Sequence, residues 1–156
     1  MHPCYILDMK IEAKFYSENN ELYFLDGSKA DLGSERIKAY SVNWTSVGLD
    51  EDSYNEEFLA KLREEFKALE EKGSYGYVVP QCDSPCDSAI EKENFTASMK
   101  HCARRIKDCE NIVGFSIPPE VDADFFMEEL SAKHKHYIYF TQYQEIAAKN
   151  HKIVKI

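Results

Sequence analysis

A chain of 156 residues that is 44% hydrophobic carries enough apolar material for one packed domain, which excludes global disorder. Its formal charge of −9 argues against nucleic acid or an anionic membrane as partner, since both repel an acidic surface. No apolar run approaches the roughly 20 residues of a membrane helix, and the amino terminus lacks a basic-then-apolar leader, so a cytoplasmic location is expected.

Tyr5, Leu7, Met9, Ile11, Ala13 and Phe15 alternate with Asp8, Lys10, Glu12 and Lys14, the pattern of a half-buried strand. Ser17-Glu-Asn-Asn20 predicts a turn, and Glu21–Leu25 returns as its partner before Asp26-Gly27 breaks it. A single domain over 1–156 is expected, with a β-hairpin over 1–33 and βα repeats over 34–156.

From Arg36 the grammar becomes strand, helix, strand. Ile37–Val42 reads as a strand ending at Asn43-Trp44. Ser53-Tyr-Asn-Glu56 has the form of a capping box. Phe58, Leu59, Leu62, Phe66 and Leu69 then recur at helical spacing, and Gly73 stands where a helix C-cap glycine belongs. Tyr75–Val79 predicts the next strand. A second helix buries Phe95, Met99, Cys102, Ala103 and Ile106, and both Ser88 and Asn94 are candidate caps for it.

Ile112–Ile117 is short, apolar and β-branched, and stops at Pro118-Pro119-Glu120. That is how a buried parallel strand reads when it delivers a carboxylate to the carboxyl edge of a sheet. Asp122 caps a third helix carrying Phe125, Phe126 and Leu130. Tyr137–Thr141, Tyr143–Lys149 and Ile153–Ile156 then predict a strand, a short helix and a last strand. Helices between strands imply parallel pairing with right-handed crossovers. A doubly wound domain of flavodoxin-like size is the weaker alternative, since a hairpin leads the chain and no glycine-rich phosphate loop is present.

Three motifs carry a resemblance. Leu25-Asp-Gly-Ser-Lys29, Ser41-Val-Asn-Trp44 and Val113-Gly-Phe-Ser-Ile-Pro-Pro-Glu120 come in the order found in the first half of clan A glycoside hydrolases, the retaining (β/α)8 barrels of cellulase and mannanase type. Over residues 21–120 the chain resembles that half. The resemblance implies an α/β fold of truncated or half (β/α) barrel type, with about five parallel strands after the hairpin. It implies Glu120 as general acid/base, with Asn43 and Trp44 lining the sugar site and Gln81 and Asp83 on the same rim.

The departures bear on activity. Pro119 stands where the family has an asparagine that hydrogen-bonds the sugar, and proline offers no donor. Retaining hydrolysis needs two carboxyls about 5–5.5 Å apart. No second acid matches the nucleophile, and a full barrel takes roughly 200 residues or more. A non-catalytic partial barrel that binds a carbohydrate or a protein partner is therefore the expected function. The alternative is a retaining β-mannan or β-glucan hydrolase, with Glu120 as acid/base and the nucleophile from a rearranged site or a second subunit. Half-barrels expose a flank, so homodimerisation through the sheet is expected as well.

Other residues admit two readings. Cys82-x-x-x-Cys86 reads as plain loop thiols ahead of a redox-labile pair or a metal site. Five cysteines (Cys4, Cys82, Cys86, Cys102, Cys109) cannot all pair within one chain, and free thiols are expected. His134-Lys-His136 suits a helix end, where cationic or polar residues complement the dipole, ahead of a metal site. No metal and no cofactor are expected. Trp44 divides evenly between sugar platform and core, whereas Tyr40 and Tyr77 lean toward core.

Overall fold

Residues 13–31 and 37–156 are described by a computed structural model of the chain. Two short strands come first, β1 (Phe15–Glu18) and β2 (Glu21–Phe24), paired antiparallel with Phe15 opposite Phe24 and Glu18 opposite Glu21. The turn between them is Asn19-Asn20, at φ 52° and 62°. A two-residue hairpin turn of type I′ needs positive φ at both positions, which asparagine tolerates. Ser17 and Glu18, expected in the turn, are therefore strand residues. The expected strand over Tyr5–Phe15 falls mostly outside the described residues; within them the strand begins at Phe15.

Five strands form the main sheet: β3 (Ile37–Asn43), β4 (Tyr75–Gln81), β5 (Ile112–Ser116), β6 (Ile138–Thr141) and β7 (Val154–Lys155). They lie side by side in chain order, every neighbouring pair parallel. Between them run α1 (Trp44–Val47), α2 (Glu56–Lys72), α3 (Ala89–Arg105), α4 (Ala123–Ser131) and α5 (Gln144–Ala147).

Where each helix packs decides the architecture. Leu59 and Phe66 of α2, Phe95 and Met99 of α3, and Phe126 and Leu130 of α4 share one core with Val42, Val78, Phe115 and Tyr139 of the sheet. The three long helices thus cover one face. The hairpin side chains Phe15 and Leu22, with Ala30, pack on the other, against Ile37, Tyr77, Val113 and Phe140. Sequential strand order with helices on one side is the winding of a (β/α) barrel. A doubly wound sheet reverses direction and carries helices on both faces. The chain is an α/β half-barrel led by a hairpin.

Helix ends follow local chemistry, with one correction. The cap of α2 is Asn55, whose side chain accepts from Phe58 N at 3.0 Å, not Ser53. Ser53 is spent on Asp50, whose carbonyl takes its hydroxyl at 3.1 Å. Glu56 faces away to Arg105 and His101, at 2.8 and 2.9 Å. Gly73 ends α2 in the left-handed conformation, φ 64°, as expected. For α3 the cap is Ser88, with Glu91 completing a reciprocal box. Asp122 caps α4 through Phe125 N at 2.9 Å.

The hairpin sits at the amino-terminal end of the sheet. Phe15 meets Tyr75, the first residue of β4, edge-on at 5.0 Å, and Lys14 Nζ donates to Asn111 just before β5 at 2.8 Å. Asn20 is the strongest tie. Its Nδ2 donates to the carbonyls of Ala147, Asn150 and Ile153 at 2.9, 2.9 and 2.6 Å. Its backbone N–H donates to His151 O at 2.8 Å, and its carbonyl accepts from Lys155 N at 3.0 Å. The hairpin therefore packs against the starts of β4 and β5 and is tied along β7.

Candidate functional site

Strand alternation builds the open rim. Tyr40 and Val42 point into the helical core, so Ala39, Ser41 and Asn43 fall on the opposite face. In register, Ala39 stands beside Tyr77, Ser41 beside Val79 and Asn43 beside Gln81. Ala39, Ser41, Asn43 and Gln81 are all exposed, and Gln81 Nε2 donates to Ser41 Oγ at 3.4 Å. Strands of a parallel sheet are normally buried on both faces, so an exposed polar row on β3 is unusual.

Glu120 is exposed and follows β5 after the two prolines. The backbone there is fixed by Ile117 N donating to Phe140 O at 2.8 Å and Val121 N to Pro118 O at 3.4 Å. Its charge reaches the loop after β4, where it helps to push up the thiol pKa values of Cys82 and Cys86. Glu120 and that loop therefore share one rim.

Asp83 is on the rim but already engaged. Its carboxylate accepts from Thr45 N at 2.9 Å and, through a very short bond, from the Thr45 hydroxyl. Thr45 is the second residue of α1, and Asn43 makes no side-chain cap there, so Asp83 caps this turn from across the sheet edge. Burial pushes the Asp83 carboxyl up, but the Thr45 hydroxyl and amide more than offset this and hold it below its ordinary value.

Trp44, placed by the resemblance on the floor of the site, is 2% exposed and belongs to the helical core. Its Nε1 donates to Ser98 Oγ at 3.1 Å, the Ser98 hydroxyl donates to Gly48 O at 2.7 Å, and the indole packs on Phe95 at 5.0 Å. The chain coils into α1 directly after Asn43, which swings residue 44 off the rim. Tyr40 packs edge-on against Phe66 and Tyr77 stacks on Phe140, so both are core aromatics.

Of the expected residues, then, Asn43, Gln81 and Glu120 stand exposed at the carboxyl edge, Asp83 is held by Thr45, and Trp44 is inside. Ser41 joins them, legible from the period-two alternation that sets it beside Asn43. Thr45 left no sequence signal, because its partner lies 38 residues away.

Among the described residues no group of three or more His, Cys, Asp or Glu is arranged to hold a metal. His134 is 7% exposed, and burial first, then the nearby His136 and lysines, bring its pKa down to about 4. It is neutral at neutral pH, so of the two roles expected at the helix end, cationic or polar, it can fill only the polar one. Between pH 6.5 and about 4 the unfolded chain binds a proton on this ring that the folded chain refuses. Stability should therefore fall as the pH drops through that window, and His134→Gln should flatten the fall. Urea midpoints measured across the window check this; equal slopes in the two proteins would sink it.

A cavity of about 530 Å³ lies elsewhere, between the hairpin, α4 and the start of β6, lined by Tyr16, Met127, Tyr137 and Lys152 among others. None of Asn43, Gln81 or Glu120 borders it. No protein-family model matches the chain, and no curated protein matches its sequence.

Proposed function

We propose that the chain is a non-catalytic binding module on a half-barrel scaffold, whose open β3 flank takes a protein partner. A second copy of the chain is the partner that answers this flank most simply. The observation that carries the reading is the exposure of Ala39, Ser41 and Asn43 on β3, a strand whose other side pairs with nothing among the described residues. An unpaired strand edge presents backbone donors and acceptors ready to accept another strand.

Carbohydrate recognition draws less support, because the tryptophan that would stack on a sugar ring is enclosed. Hydrolysis draws less again: Asp83, the acid that accompanies Glu120 on the rim, is committed to Thr45.

Sedimentation across a wide concentration range tests the reading. The wild type is expected to shift from monomer to dimer. Ala39→Arg, a change at an exposed position, should weaken the association about tenfold or more, roughly 1.4 kcal/mol, while leaving the melting temperature nearly unchanged. A strictly monomeric wild type removes the second copy as partner. Turnover of β-linked mannan or glucan oligosaccharides that Glu120→Gln abolishes would replace the binding reading with the hydrolytic one.

A further inference from the structure

The loop joining β4 to α3 holds a feature that the binding reading does not use. Cys82 and Cys86 are neighbours across a turn containing Pro85, near enough that each thiol shifts the pKa of the other. Cys82 Sγ also donates to Ser84 O at 3.2 Å, which folds the loop back on itself. Cys82 is half-buried and reachable from the rim, while Cys86 behind it is 8% exposed. The two other described cysteines are closed off: Cys102 is 0% and Cys109 1% exposed.

We propose that Cys82 and Cys86 form a reversible dithiol–disulfide site, oxidised by a low-molecular-weight disulfide such as oxidised glutathione, with Cys82 as the entry thiol. Cys82 loses its proton to solvent, and its thiolate attacks one sulfur of the oxidant. The oxidant's S–S bond breaks and one small thiolate leaves, giving a mixed disulfide on Cys82. Cys86 then gives up its proton and attacks Cys82 Sγ. The mixed disulfide breaks, the second small thiolate leaves, and Cys82–Cys86 closes. Two electrons pass from the protein to the oxidant, and the two protons released match the two small thiols formed.

The order of attack follows from exposure: Cys82 is half-buried in the loop, and Cys86 is 8% exposed. Burial raises both thiols, Cys86 to about 12. Since both lie above an ordinary cysteine, exchange at neutral pH is slow and should quicken roughly tenfold per pH unit on the alkaline side.

The test is oxidation of the full chain by oxidised glutathione, followed by intact mass and peptide mapping. The expected product has lost two hydrogens, carries no glutathione, and maps to a Cys82–Cys86 link that dithiothreitol reverses. Cys86→Ser should accumulate a glutathione adduct on Cys82, and Cys82→Ser should slow the reaction at least tenfold. A link to any other cysteine, a stable glutathione adduct on the wild type, or no reaction up to mildly alkaline pH would overturn the proposal. Each of these outcomes is read on the wild type alone, so a variant that fails to fold does not shelter it.

Discussion

Gly114→Ala should unfold the chain or cost about 4 kcal/mol or more, a loss at the far end of what single substitutions do. A Cβ built at Gly114 would stand 1.7 Å from the carbonyl oxygen of Ile138 and 2.7 Å from its backbone N and C. No side chain is in the way that could turn aside; the obstruction is the backbone of β6. The cause lies in the register. Gly76 pairs with Ile112 but Tyr77 pairs with Gly114, so Val113 is an extra residue in β5. Such a bulge twists the strand locally and aims the next residue at its neighbour. Adding one carbon there must push β5 and β6 apart at the centre of the sheet. Urea denaturation followed by circular dichroism reads the loss. Gly27→Ala serves as the comparison: it has φ 93° and nothing within 4 Å of the added carbon, so it should lose only about 1–2 kcal/mol. Equal effects at the two sites would mean that strand separation contributes nothing.

Asn20→Ala should cost about 2–4 kcal/mol, large for a partly exposed turn residue. Two losses combine. The carbonyls of Ala147, Asn150 and Ile153 forfeit a shared donor, and alanine is less tolerant of a backbone at φ 62°. An amide has two hydrogens, so three acceptors share them. Variants separate the parts. Asn20→Gly relieves the backbone and removes only the donor, so it should fall between wild type and alanine. Asn20→Asp keeps the shape but faces three carbonyls with a carboxylate, and should be at least as damaging as alanine. Thermal melts suffice for the ranking, since each kcal/mol moves a domain of this size by about 2–4 °C. A well-tolerated aspartate would show that the amide hydrogens do not hold the hairpin in place.

Both sites escape a reading by pattern. Asn20 is one of several turn formers in its segment, and nothing in the spacing around Gly114 marks it off from the rest of an apolar run. Each matters for what another part of the chain presents to it.

What the sequence determined by itself were features that short-range chemistry enforces. Apolar spacing in α2 and α3 set their buried faces, Gly73 and Asp122 marked helix ends, and strands separated by helices required a parallel sheet. The ends of the apolar runs also put Asn43 and Glu120 at strand ends, and the resemblance set Gln81 on the same rim. Tertiary structure alone decided that Asn55 and not Ser53 caps α2, since Ser53 bonds Asp50 and Glu56 is drawn to Arg105. It alone turned Trp44 into the core through the short coil of α1, and it alone engaged Asp83 with Thr45. A hydrogen bond carries no period: a donor many residues away leaves no trace in the spacing around its acceptor. Whether an acid on the rim is free to act or already occupied is settled only when the loops meet.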